Sequence, residues 1–179
     1  MFLKLIARVI VILSSNTNPV QIAAGLASGL FLALLPAGNL LWVLLFLILF
    51  VSKAHYGIAL AALAVFKLVA SLAAGPLDAL GWAVLNASAL RPAFTALYGM
   101  PIAPLTRFNN TLVMGGLLAG LVLWAPAFLT ARAGVTVYRA RLAPRIAGSK
   151  FVAALKKVPL VSALAKALGA AARIAGPAE

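Results

Sequence analysis

The sequence predicts an all-α polytopic membrane protein, because it is strongly apolar, basic and free of strand signals. Hydrophobic residues make up 65% of the 179 residues, against roughly 45–50% in a soluble domain, and mean hydropathy is +1.12. Fifteen lysines and arginines face two acidic residues, Asp78 and Glu179, a balance that suits an anionic lipid surface. We expect interrupted or re-entrant helix hairpins, an N-terminal interfacial helix and a basic amphipathic C-terminal tail.

Residues 1–15 are expected to form an amphipathic helix that lies in the membrane interface. Lys4 and Arg8 are four residues apart and share one helix face, while apolar side chains cover much of the rest. A polar run at 14–18 then ends the segment after about 12 apolar and basic residues. The alternative is the start of a tilted spanning helix. A cleaved signal peptide is disfavoured, because no A-x-A site follows promptly.

The membrane domain is expected over residues 16–133 and opens on the uncharged stretch 18–51. Pro36-Ala37-Gly38-Asn39 divides this stretch into arms of about 25 Å and about 18 Å, against a hydrocarbon core of about 30 Å. A re-entrant hairpin with its tip inside the membrane is therefore favoured, with a full transmembrane hairpin as the alternative. Asn18 and Asn39 are expected to cap the two helices.

A second interrupted segment follows, with an apolar arm at 57–74, a break at Gly75-Pro76-Leu77-Asp78 and a shorter arm ended by Arg91-Pro92. Paired interrupted helices point to a polar path near the midplane of the membrane. Lys67 lies well inside its arm, where an ionisable side chain normally faces a cavity or a partner. It could attract a lipid phosphate, or pair with a carbonyl or with Asp78. The candidates for a lipid or polar path are Pro36, Gly38, Asn39, Lys67 and Asp78.

Residues 111–131 are the clearest spanning helix. The G-x-x-x-G pairs Gly25/Gly29 and Gly116/Gly120 predict close helix packing, within the chain or in a homo-oligomer. The tail at 134–179 is expected to be a basic amphipathic segment on the cytoplasmic surface. With the first hairpin returning to its starting side, twelve cations fall on one side and two, Arg91 and Arg107, on the other. Both termini are therefore predicted to be cytoplasmic.

Little chemistry is available to an active site. The chain has no cysteine and a single histidine, His55, at a predicted membrane edge. Acid–base catalysis usually needs paired carboxylates or an oriented histidine, and no metal-ligand cluster or phosphate-binding loop occurs. We expect no catalytic residue, no metal, no cofactor and no nucleic-acid partner.

Two blocks carry a resemblance to a bacterial membrane-protein family of unknown function. The first runs from Asn16 to Pro36 and follows the pattern N-P-x-x-I-A-x-G-x-A-x-G-x-F before a Pro/Gly break. The second is the string TRFNNTLVMG at 106–115. The resemblance covers roughly residues 10–135 and implies a protein of the bacterial inner membrane.

Members of the resembling subgroup are often encoded beside a large AsmA-like periplasmic protein. The resemblance implies a subunit of an envelope lipid-transport system that anchors this protein and helps phospholipid leave the bilayer. The outward segment Arg107-Phe108-Asn109-Asn110 is the candidate docking site for that partner. The alternatives are a scaffold or assembly factor without a lipid path, and a small-solute transporter or channel.

Overall fold

The computed structural model describes residues 18–142, and in this range every regular element is a helix. The expected interfacial helix at 1–15 and most of the expected tail at 134–179 lie outside the described residues. The chain divides into two compact units, of which Asn18–Ala133 is one and Gly134 onward belongs to the other. The all-α prediction is confirmed for the described residues.

The first hairpin consists of α1 (Pro19–Leu34) and α2 (Leu40–Val51). As predicted, Asn18 caps α1, since its side-chain oxygen accepts from the backbone N–H of Val20 at 2.9 Å, and Pro19 occupies the first helical position. The non-helical residues between α1 and α2 contain the predicted break. The ends of the hairpin, Asn18 and Ser52, line one groove, so the chain returns to the side on which it began.

The second interrupted pair is α3 (Tyr56–Leu72) and α4 (Ala74–Leu85), which are bent by 75° relative to each other. The bend lies at Ala73, just before the predicted break. Gly75 and Pro76 instead sit in the first turn of α4, where the missing proline N–H removes no helical hydrogen bond.

Arg91-Pro92 was expected to end the second arm, and this expectation was wrong. α4 already ends at Leu85, and after a 3₁₀ turn at Ser88–Leu90 the same dipeptide begins the short helix α5 (Arg91–Tyr98). Proline is well suited to a first helical turn, so it starts a helix as readily as it stops one. A second 3₁₀ turn at Ala103–Thr106 packs against α2.

The last helix, α6 (Thr111–Val137), continues into a π-helical turn at Tyr138–Leu142. Thr111–Arg141 is the one stretch of the described chain that is long and apolar enough to cross a membrane as a single helix, and the bent pair α3–α4 could count as a second span. α1 and α2 are shorter apolar helices. The prediction of a membrane-crossing helix beginning at residue 111 therefore agrees with the length and composition of α6.

Within Asn18–Ala133, α1 lies at the centre of the packing. α1 and α3 run side by side in the same direction, since the backbone N–H of His55 bonds the Gln21 carbonyl at 2.9 Å and Lys67 reaches the end of α1. α6 runs antiparallel to α1, with Gly116 beside Leu34 and Gly120 beside Phe31. This arrangement brings the ends of several helices together around the break at 35–39.

Candidate functional site

The interruption between α1 and α2 is the most polar feature in the interior of Asn18–Ala133. A helix end leaves four carbonyl groups without intrahelical partners, and in an apolar environment each unpaired group is costly. Here the carbonyl of Leu32 accepts from the indole N–H of Trp42 at 3.1 Å. The carbonyls of Ala33 and Leu35 both accept from the Lys67 ammonium, at 3.1 and 2.7 Å. We call Leu35–Asn39 the tip, and these contacts pair the carbonyls of Leu32, Ala33 and Leu35 where α1 enters it.

Asn39 closes the tip from the other side. Its side-chain oxygen accepts from the backbone N–H of Trp42 at 2.8 Å, and its amide donates to the Pro36 carbonyl at 2.7 Å. The first contact confirms that Asn39 caps α2. With only 5% of its surface exposed, Asn39 is held inside the fold. Gly38 has a φ of +88°, which only glycine adopts without strain.

Lys67 binds the carbonyl groups at the C-terminal end of α1 in this structure. Of the two alternatives, the carbonyl contacts match the structural one, and the positive charge also complements the negative end of the α1 dipole. Lys67 as a whole residue is nevertheless exposed. An ammonium has three donors, and two are used, so the third has no acceptor in the part of the chain that the structure describes.

Asp78 contacts Thr111 instead of the Lys67 side chain, which was the partner considered for it. The Thr111 hydroxyl donates to its carboxylate, which joins α4 to the first residue of α6. The structure therefore brings Pro36, Gly38, Asn39 and Lys67 together at the tip, whereas Asp78 belongs to the α4–α6 contact.

The candidate docking segment divides into exposed and structural residues. Arg107 and Asn109 are exposed, and Arg107 has the left-handed φ of 53°. Phe108 packs against Phe94 and Tyr98, with ring centroids 6.1 and 6.4 Å apart. The Asn110 side chain accepts from the backbone N–H of Val113 at 3.1 Å, in the manner of a helix cap. Asn110 is exposed as well, but its side chain also caps α6, so Arg107 and Asn109 are the exposed residues of this segment without such a role.

The predicted glycine pairs both lie in contacts within the chain. A Cβ on Gly25 would come 2.6 Å from the His55 carbonyl oxygen, and one on Gly29 would overlap the backbone of Ala59. Gly116 and Gly120 meet Leu34 and the Phe31 ring. Of the two interpretations, the packing seen here is the intramolecular one.

A third glycine contact and one aromatic hydrogen-bond donor were not predicted from the sequence. Gly81 of α4 and Gly115 of α6 let the two backbones approach, since a Cβ on either would overlap the other helix. No G-x-x-x-G pattern marks Gly81, although the adjacent pair Gly115-Gly116 was a usable signal. Trp42 lies three residues after the Asn39 cap, and its indole N–H was not recognised as a donor to α1.

The side chains that meet at the tip all bond backbone groups. Lys67 and Trp42 donate to carbonyls at the end of α1, and Asn39 bonds Trp42 and Pro36. Within residues 18–142, no three His, Asp or Glu side chains come together to hold a metal ion. His55 caps α3 through a 3.3 Å contact from the backbone N–H of Ile58.

Comparison with known proteins gives one informative relative. No family model matches the chain, and no solved structure matches it, so the resemblance drawn from residues 16–36 and 106–115 stays a prediction. An uncharacterized protein of Treponema pallidum (strain Nichols) is 38% identical over 148 residues, which cover 83% of this chain and 91% of that protein. Since the identity extends over nearly all of both proteins, this chain belongs to the same family as the Treponema pallidum protein.

Proposed function

We propose that this chain is an inner-membrane subunit of an envelope lipid-transport system, which anchors an AsmA-like periplasmic protein and helps phospholipid leave the bilayer. The observation that carries the proposal is a helical hairpin that is too short for the membrane, yet side chains of the chain itself bond the carbonyls of Leu32, Ala33, Leu35 and Pro36 at its tip. α1 and α2 contain 16 and 12 residues, or about 24 Å and about 18 Å, against a hydrocarbon core of about 30 Å.

Short apolar elements deform the bilayer around them. A hydrophobic segment shorter than the hydrocarbon core is accommodated by local thinning of the bilayer. The bonds from Trp42, Lys67 and Asn39 pair carbonyls at the tip without water, which lowers the cost of placing the tip at depth. Thinned bilayer beside such a tip lowers the barrier for a phospholipid to move out of its leaflet.

The charge distribution supports the orientation of the proposed subunit. In the topology expected from the sequence, twelve cations share one side of the membrane, and Arg91 and Arg107 lie on the other. The positive-inside rule then gives a protein with both termini in the cytoplasm. In this orientation the exposed Arg107 and Asn109 face the periplasm, where the AsmA-like partner would dock.

The test is the movement of a fluorescent phospholipid between leaflets of vesicles that contain the purified full chain. We expect faster movement than in protein-free vesicles. The acceleration should grow with acyl-chain length, because the mismatch with the short hairpin grows with bilayer thickness. The folded protein would contradict the proposal if it gave no acceleration at any thickness.

A scaffold without a lipid path is the second candidate, and the Lys67 contacts favour it. Both observed bonds of the ammonium go to protein carbonyls, which is a purely structural use. A scaffold predicts that Lys67→Ala and Asn39→Ala leave lipid movement unchanged, whereas substitutions at Gly25, Gly29 or Gly116 abolish assembly with the periplasmic partner. The lipid-handling subunit predicts that the two tip variants slow lipid movement while the complex still assembles.

A further inference from the structure

An open groove of about 540 Å³ lies between α1, α2 and α6, and it extends from the start of α1 to Leu32, close to the tip. Its volume falls within the range of roughly 300–1,000 Å³ that is usual for small-molecule sites. Its lining extends along α1 from Asn18 to Phe31, a distance of about 20 Å for a helix. That length exceeds the roughly 15 Å of hydrocarbon in one leaflet, so the groove is long enough for one acyl chain.

The groove is apolar along its length and polar at one end. Its walls are formed by large apolar side chains from all three helices, namely Phe31, Leu45, Ile48, Leu49, Leu121 and Trp124. The indole N–H of Trp124 donates to the Ser28 hydroxyl at 3.3 Å, so this contact satisfies two polar groups inside the wall. The polar end is formed by Gln21, Ser52 and Lys53. The groove therefore has apolar walls and one polar end, which matches the apolar chain and polar headgroup of an amphiphilic lipid.

Lys53 gives the polar end a charge that no acidic side chain within residues 18–142 neutralises. Its side chain is exposed. Among residues 18–142 the one acidic side chain is Asp78, which bonds Thr111 at the far end of α6. The ammonium is thus available to an anion from outside the described chain, and a phosphate in the adjacent headgroup layer is complementary to it.

We propose that this groove binds one acyl chain of an anionic phospholipid, with the lipid phosphate beside Lys53. The inference rests on the proposed function, because it assumes that α1 and α2 lie in a bilayer, and it adds a lipid class and a binding site. Headgroups beside Lys53 place the bound lipid in the leaflet where α1 begins. A lipid that enters from this side first contacts the ends of α1 and α2 that lie farthest from the tip.

The experiment is photo-crosslinking of the full chain in vesicles that contain phosphatidylglycerol with a diazirine in its acyl chain. The matched pair of variants is Leu121→Trp and Val122→Trp. The two residues are neighbours on α6 and are 58% and 72% exposed, but only Leu121 lines the groove. The added ring should fill the groove in the first variant without disturbing the packing in either.

We expect crosslinks on Leu45, Ile48 and Leu121, one lipid per chain, with labelling lost in Leu121→Trp and kept in Val122→Trp. Lys53→Glu should lower the labelling by phosphatidylglycerol relative to phosphatidylcholine by about fivefold or more, since one cation near an anionic surface contributes roughly that factor. Equal labelling of Val65 and Leu68, which are exposed on α3, or equal labelling by the two lipids in the unaltered chain, would overturn the proposal.

The two proposals fail separately. Groove-specific labelling without accelerated lipid movement upholds the binding site and contradicts the transport role. Accelerated movement with labelling spread over all apolar faces contradicts the binding site and upholds the transport role.

Discussion

At the residue scale, the end of α1 depends on one long side chain from another helix. The Lys67 ammonium bonds the carbonyls of Ala33 and Leu35, two groups that no backbone N–H of α1 can reach because the helix stops there. Hydrogen bonds to charged groups contribute more than neutral ones, and a carbonyl left unpaired in an apolar setting carries its full desolvation cost. Lys67 is therefore expected to stabilise the hairpin whether or not it also contacts lipid.

Replacing Lys67 by methionine should lower the free energy of unfolding by about 1–3 kcal/mol, because the side-chain length is kept and the donors are lost. Lys67→Arg should recover part of this loss. The measurement is unfolding of the micellar protein with increasing SDS, followed by circular dichroism. Lys53→Met is the control, because an exposed cation without an acidic partner should change the value by no more than about 0.5 kcal/mol. Equal effects at the two lysines would contradict the role given to Lys67.

These residues also show what could be predicted from the sequence and what could not. The caps at Asn18 and Asn39 obey a local rule, since each side chain bonds a backbone N–H two or three residues ahead. The partners of Lys67 lie more than 30 residues away. A sequence pattern indicates that a buried lysine needs a partner, but only the packing of α3 on α1 selects which carbonyls it meets.

At the element scale, small residues set how closely the helices approach. G-x-x-x-G spacing identified the faces of α1 and α6, because residues four apart lie on one side of a helix. The spacing could not say which helix each face meets, and it overlooked Gly81, whose partner Gly115 lies on α6. The position of Pro92 was similarly ambiguous as a signal, because a proline can follow the end of one helix or begin the next.

Two alanine substitutions in α4 separate packing from helix propensity. Gly81→Ala should destabilise the protein by about 1–3 kcal/mol, because the new Cβ overlaps the backbone of Thr111 and the helices must move apart. Gly75→Ala meets no atom within 4 Å, and it should stabilise the protein by up to about 1 kcal/mol through better helix propensity. The same SDS unfolding measurement compares them. If both substitutions raised the free energy of unfolding, the close α4–α6 contact would be contradicted.

At the scale of the whole molecule, the hairpin returns the chain to its starting side, and α6 then runs antiparallel to α1, with contacts from Leu34 to Ser28. Tertiary contacts establish this relative arrangement, because the Lys67 and His55 bonds make α1 and α3 parallel. The proposed orientation, with both termini in the cytoplasm, rests on the distribution of cations in the sequence. The depth of the tip depends on the bilayer and so on the mismatch between α2 and the hydrocarbon core.

Single cysteines can test the orientation and the depth of the tip together, because the natural chain contains no cysteine. In intact cells, a membrane-impermeant maleimide should label Asn109→Cys, whereas Lys53→Cys should react only after the membrane is permeabilised. Ala37→Cys lies at the exposed surface of the tip and avoids the strained position of Gly38. A re-entrant hairpin holds residue 37 in hydrocarbon, so the reagent should not reach it from either side until detergent is added. Labelling of Ala37→Cys from outside intact cells would instead establish a full hairpin, and labelling of Lys53→Cys from outside would reverse the predicted orientation.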